Sequence, residues 1–240
     1  MGRSTDQRPG SGQERRGDLV IDLQRDGDVF VLRLDAGENR FGPDFLDAVE
    51  GALDTVAAAD GPRALVTVGT GKFFSNGLDL EWLGAHRDEF EGYLGRVNGL
   101  YARLLELPAP TVAAVNGHAF AGGGMLALAH DFAVMRTDRG YFCLPEVDLG
   151  MSFTPGMNAL ITARLAAGVA HEAMITGRRY TAAEALAAGI VQRTAAEDEV
   201  LPAAVEWAAS LAGKDGKVVG RIRRDMYRGA LRALRGPALG

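Results

Sequence analysis

From Leu19 onward, short runs of β character alternate with longer helical stretches, and no other feature of this chain restricts its fold as much. Runs such as VFVLRLDA and ALVTVGT are rich in aliphatic and β-branched residues, and Gly and Pro separate them from helical stretches such as FLDAVEGALDTVAAA. That rhythm implies an α/β fold. Phe45, Val49, Leu53 and Val56 recur at spacings of three and four, which places them on one face of a helix starting near Pro43. TVAAVNG (111–117) and DFAVMRT (131–137) read as strands, because apolar residues dominate and turn formers close each run. Between them, HAFAGGGMLALA sets three consecutive glycines before a helix-favouring run, a tight backbone passage that opens into a helix.

After about Pro155 the β signals thin out and the remainder reads as successive helices, with GIVQRT (189–194) as a short β-like link back to the core. The expected division is a flexible tail over 1–17, rich in Gly, Ser, Arg and Gln, a core over 18–180, and a helical region over 181–240. No internal repeat is visible, although a degenerate ββα unit would escape inspection.

With 47% hydrophobic residues in 240, the chain can bury a core as one compact unit. Its net charge of -5 gives no general electrostatic reason to bind nucleic acid or an anionic membrane. No apolar run has the length or flanks of a secretory signal or a membrane span. Cys143 is the single cysteine, so no internal disulfide is expected, and no Cys, His, Asp and Glu spacing matches a metal site. The expectation is a cytoplasmic protein without a metal.

Three segments carry the chemistry. In GKFFSNGLDLEWL, Gly77 allows a sharp turn, so the N–H of Leu78 is free to point into a cavity and Asp79 is placed to cap a helix. In NGHAFAGGGMLALAHD, Gly122 opens a helix whose unpaired N–H groups favour developing negative charge; no Gly-Lys-Ser/Thr follows, which rules out a phosphate loop. In RGYFCLPEVDLGMSFTPG, Glu146 lies among apolar residues, where desolvation raises a carboxylate's proton affinity toward that of a base working near neutral pH.

These segments, in this order and spacing, resemble the crotonase (enoyl-CoA hydratase/isomerase) superfamily from about residue 18 to the end of the chain. The resemblance implies a crotonase-like spiral of ββα turns, with a helical C-terminal region used in homotrimer contacts and often a hexamer. It also implies an oxyanion hole made by the backbone N–H groups of Leu78 and Gly122, with Glu146 as the acid/base. Coenzyme A, as part of an acyl-CoA substrate and not a cofactor, is expected to bind near Ser75, Asn76, Gly77 and Leu78 at its adenine end and near Arg40 at its phosphates. Family hydratases pair the Pro-Glu glutamate with a second one in the glycine-opened helix, a position held here by Met125. Met125 neither accepts a proton nor holds water strongly, and it is expected to line the acyl pocket with Trp82 and Phe120.

AHDFAVMRTDRGYFCLPEVDLGM and SNGLDLEWL are most similar to single-glutamate Δ3,Δ2-enoyl-CoA isomerases of the plant peroxisomal type. The implied reaction is conversion of 3-enoyl-CoA to 2-trans-enoyl-CoA by a proton shuttle through Glu146. The alternatives are an enoyl-CoA hydratase or another crotonase reaction, and a non-catalytic acyl-CoA binder.

His86, His118, His130 and His171 are scattered without a nucleophile elbow, which argues against serine hydrolase chemistry. Asp131 is expected to hold backbone groups near the oxyanion loop; Asp148 leaves the same face as Glu146 if the segment is extended, and is expected to cap or form a salt bridge. RIRRDMYR is expected to present a solvated basic face opposite Ile222, Met226 and Leu231.

Overall fold

The computed structural model describes residues 20–239, so the expected tail over 1–17 lies outside the described residues. Strands β1 (Val20–Asp26) and β2 (Val29–Asp35) pair as an antiparallel hairpin, and helix α1 (Pro43–Ala58) follows with Phe45, Val49, Leu53 and Val56 buried as the spacing required. Three ββ units then succeed one another. They are β3 (Ala64–Gly69) with β4 (Phe73–Ser75), β5 (Thr111–Val115) with β6 (His118–Phe120), and β7 (Phe132–Arg136) with β8 (Phe142–Cys143). In each unit the first strand joins the large sheet, ordered β1-β2-β3-β5-β7-β9, and the second joins a small parallel sheet, β4-β6-β8. Helices α2 (Leu80–Ala85) and α3 (Phe90–Glu106) follow the first unit, α4 (Gly122–Ala129) the second, and a single 3-10 turn at Pro145–Val147 the third. This is the expected spiral of ββα turns.

Every pairing in the large sheet beyond the first hairpin is parallel, and its central strands are buried on both faces. That explains their near-continuous apolar sequences. Leu65, Ala113 and Val115 face the interior, while Val66, Val112, Ala114 and Val134 pack against the small residues Ala204 and Ala208 of α8 (Val200–Leu211).

The C-terminal part is helical: α5 (Pro155–Arg164), α6 (Ala167–Thr176), α7 (Ala182–Ala187), α8, α9 (Gly216–Met226) and α10 (Arg228–Leu234). Its first helices precede residue 180, and the proposed boundary there crosses a pairing, since Phe142 and Tyr180 exchange backbone hydrogen bonds of 3.0 and 2.8 Å. The link back to the core is β9 (Arg193–Ala195), beside β7. It starts later than GIVQRT implied because the N–H groups of Ile190 and Val191 both turn back to the Ala185 carbonyl.

Helix α2 ends where His86 bonds back to the Trp82 carbonyl through Nδ1 at 2.8 Å. The basic run is solvated at Arg221, Arg224 and Arg228, and Leu231 is buried, as expected. Arg223, however, is buried, donating to Asp131 Oδ2 at 2.9 Å and to the Leu107 and Ala109 carbonyls, while Ile222 and Met226 of α9 face outward. Among the described residues, no helix is long and apolar enough to cross a membrane.

Candidate active site

The site forms where the turn after β4 meets the start of α4. Gly77 adopts a φ of 78°, and a Cβ there would lie 2.5 Å from the Gly122 nitrogen, so only glycine lets the two main chains touch. Gly123 likewise packs on the Ser75 carbonyl. Among the described residues, the N–H groups of Leu78 and Gly122 have no hydrogen-bond partner. Gly122 also begins α4, at the positive end of its dipole. The residue before it, Ala121, holds φ 49° and ψ -122°, a conformation that costs a side-chain-bearing residue about 1–3 kcal/mol. Its N–H donates to the Cys143 carbonyl at 2.9 Å, and the buried Tyr101 hydroxyl donates to the Gly122 carbonyl at 3.0 Å. At the other end of α4, Arg164 collects the carbonyls of Leu128, His130 and Asp131 at 2.7, 2.6 and 2.9 Å.

Glu146 sits on the 3-10 turn after β8, 6% exposed, and its Oε2 is buried without a hydrogen-bond partner. Burial pushes its carboxyl up to about 7. A buried carboxylate oxygen without a donor is poor for stability and well suited to taking a proton from carbon.

Two cavities meet at Leu78, Glu146 and Met151. The wider, about 330 Å³, is also lined by Arg40, Asn76, Phe120 and Arg179. The narrower, about 210 Å³, is mainly apolar, with Phe90, Leu94, Met125, Met157 and Leu239 in its wall. A chamber carrying two arginines thus joins one whose described lining has none, at the carboxylate and the free N–H of Leu78, an arrangement suited to a molecule with an anionic head, a reactive carbonyl and a hydrocarbon tail. Among the described residues, Glu146 is the sole carboxylate side chain lining either cavity. A third cavity of about 410 Å³, between Arg63 and Lys217, shares no lining residue with these two. Among the described residues, no group of three or more His, Cys, Asp or Glu side chains could hold a metal ion.

Of the residues singled out in the sequence, Leu78, Arg40, Asn76, Met125 and Glu146 line the cavities, whereas Ser75, Gly77 and Gly122 stand behind them. Ser75 is fully buried, donating to the Asn39 carbonyl at 2.7 Å and accepting from the Gly77 N–H at 3.1 Å. Arg40 and Asn76 both bond Glu38, at 2.8 and 2.9 Å. Asp79 caps α2, its Oδ1 accepting from the Trp82 N–H. Phe120 lines the cationic chamber instead of the apolar one, and Trp82 lines neither, stacking on His86 at 4.4 Å. Asp131 holds Thr111 and Arg223 at the far end of α4, away from the oxyanion turn where it was expected. Asp148 ends a 3-10 turn instead of an extended segment, and its carboxylate lies against Gly177. His118 packs among Phe73, Phe120 and Tyr141.

The sequence reading missed Arg179, Tyr93, Tyr101 and Asn39. Arg179 lies over the Phe120 ring at 5.7 Å, and the pair Arg178-Arg179 just after α6 was its signal. Asn39 holds a φ of 52° and ties its loop to β4 through the Phe73 and Phe74 carbonyls.

Known proteins resemble this chain over most of its length. Residues 25–235 match the family model described as enoyl-CoA hydratase/isomerase. Enoyl-CoA delta isomerase 3 of Arabidopsis thaliana is 38% identical over 219 residues, covering 85% of this chain and 91% of its own. Two structures of one Mycobacterium tuberculosis protein also superpose: one, described as a probable enoyl-CoA hydratase, is 28% identical with TM-score 0.84 and covers 90% of this chain and 91% of its own. The other, described as an apo enoyl-CoA isomerase, is 29% identical with TM-score 0.83 and covers 90% and 94%.

Proposed function

Because this chain belongs to the enoyl-CoA hydratase/isomerase family, we propose that its site isomerises 3-enoyl-CoA to 2-trans-enoyl-CoA by a proton shuttle through Glu146. The observation that carries this reading is Glu146, the sole carboxylate side chain among the described lining residues, with its Oε2 unpartnered between a cationic and an apolar chamber. Glu146 removes a proton from C2, the C–H pair forms a C1–C2 double bond as the carbonyl pair moves onto the thioester oxygen, and the N–H groups of Leu78 and Gly122 stabilise this dienolate, whose conjugation with C3–C4 extends the charge to C4. Glu146 then returns the proton to C4. The double bond ends between C2 and C3, and no redox change or metal is needed. Each oxyanion donor is worth about 2.7–4 kcal/mol in the transition state of a comparable reaction.

Hydration needs a second group to hold and deprotonate water, and the position expected to supply it is Met125, 1% exposed in the apolar wall. The test mixes the protein with 3-hexenoyl-CoA while following the conjugated enoyl-thioester absorbance, with crotonyl-CoA hydration measured in parallel. A rise with the first and little change with the second supports the isomerase. The reverse pattern makes the protein a hydratase, and binding without turnover of either makes it an acyl-CoA binder.

Self-association as a trimer or hexamer belongs to the same proposal. It is supported by Val218, Ile222 and Met226, one helical turn apart on α9 and 52, 53 and 65% exposed. Light scattering on wild type and Ile222→Asp tests it; a monomeric wild type refutes it.

A further inference from the structure

The two oxyanion donors come from separate segments, and each is braced in the same way. Ahead of each donor, the carbonyl of its own peptide is tied to main chain: Gly77 O accepts from the Phe41 N–H at 2.8 Å, and Ala121 O accepts from the Met125 N–H at 3.1 Å. Behind each donor, the next peptide is tied to a tyrosine. The Asp79 N–H donates to the Tyr93 hydroxyl at 3.0 Å, and the Tyr101 hydroxyl donates to the Gly122 carbonyl at 3.0 Å.

Both tyrosines lie on the buried face of α3, eight residues apart and so about 12 Å along one rigid helix. Their rings are fixed as well: Tyr93 packs on Trp82 at 5.2 Å, and Tyr101 meets Phe41 edge-on at 6.4 Å. Neither lines either cavity, so neither is placed to touch substrate.

We propose that Tyr93 and Tyr101 are positioning residues that use α3 as a common ruler, holding the Leu78 and Gly122 N–H groups at the separation that a single thioester oxygen requires. The proposal rests on the oxyanion-hole reading above. Gly77 lets the two segments touch, but contact alone does not aim two N–H vectors at one point. Ala121, in its strained conformation, is the joint most in need of a fixed neighbour. Donors aimed at the developing oxyanion act more on the transition state than on bound substrate, so misaiming them lowers kcat more than it raises KM.

The test compares wild type with Tyr93→Phe, Tyr101→Phe and the double variant, which keep both rings. Each is assayed for kcat and KM with 3-hexenoyl-CoA, and for the pH at which bound acetoacetyl-CoA acquires its enolate absorbance. The second readout needs no proton transfer by Glu146. The expected result is about a tenfold loss of kcat in each single variant with KM changed by less than about twofold. The apparent pKa of bound acetoacetyl-CoA should rise by about one in step, since a tenfold weaker stabilisation equals one pH unit. If a phenylalanine variant fails to fold, 3-fluorotyrosine at each position decides. The more acidic phenol strengthens the Tyr101 donor and weakens the Tyr93 acceptor, so kcat should rise at one position and fall at the other.

Unchanged kcat and enolate pKa in folded variants overturn the tyrosine roles while leaving the isomerase reading intact. A wild-type protein that binds acetoacetyl-CoA without any enolate band removes the oxyanion hole itself, and this proposal with it.

Discussion

Glu146→Gln should make this protein nearly inactive and, above neutral pH, more stable. The replacement keeps the shape of the side chain and removes both the proton acceptor and the buried charge. The gap between an ordinary carboxylate at 4.5 and the value of about 7 imposed by burial corresponds to about 3 kcal/mol. The folded state binds the extra proton, so the stability it brings is complete below pH 4.5 and is lost as pH rises through about 7. At pH 8 the wild type carries the full cost of the buried charge, and the glutamine variant should exceed it in urea unfolding by up to about 3 kcal/mol. At pH 4.5 the two should converge.

Activity should move the opposite way. A positioned acid/base is worth about 10²–10⁴-fold, and here one carboxylate both takes and returns the proton, which places the loss toward the upper end. For the wild type, kcat/KM with 3-hexenoyl-CoA should fall tenfold per pH unit below about 7 and level off above it, because only the deprotonated carboxylate accepts from carbon. Turnover by Glu146→Gln within about tenfold of wild type would refute Glu146 as the base. Equal stabilities at pH 8 would refute the claim that its carboxylate is destabilised by burial.

Met125→Glu restores a second carboxylate to the apolar chamber and should bring measurable crotonyl-CoA hydration, at a stability cost of a few kcal/mol for the buried polar group; a folded variant with no hydration shows that the second carboxylate alone is insufficient. Ala121→Gly relieves the positive φ and should stabilise the fold by about 1 kcal/mol net of the added chain entropy; a lower Tm refutes the strain argument. His130 is fully enclosed, bonded to the Leu126 carbonyl and the Thr67 hydroxyl at 2.8 Å each, and burial pushes its pKa down to about 4. The unfolded chain takes up that proton first, so stability should fall by about 3 kcal/mol between pH 6.5 and 4. Urea titrations in the Glu146→Gln background isolate this slope, and its persistence in His130→Gln would reassign it.

What could be read from the sequence divides by the range over which a residue's role is decided. The strands around Val66 and Val112, the helix face of Phe45 and Val49, and the Asp79 cap follow from residues within one or two turns, so periodicity and capping chemistry revealed them. Gly77, Gly122 and Glu146 stood out because local sequence marks a sharp turn, a helix start and a carboxylate in apolar company, even before contacts are known. Arg223 read as solvated because its partner, Asp131 on the α4–β7 connection, is remote in sequence, and that pairing draws this one arginine of the basic run inward. Tyr93 and Tyr101 are members of the buried face of α3, and nothing in their local sequence marks them out. Their hydroxyls acquire roles only when α3 is laid across Asp79 and Gly122, so a helix whose spacing announces burial can still carry the bonds that aim a catalytic turn.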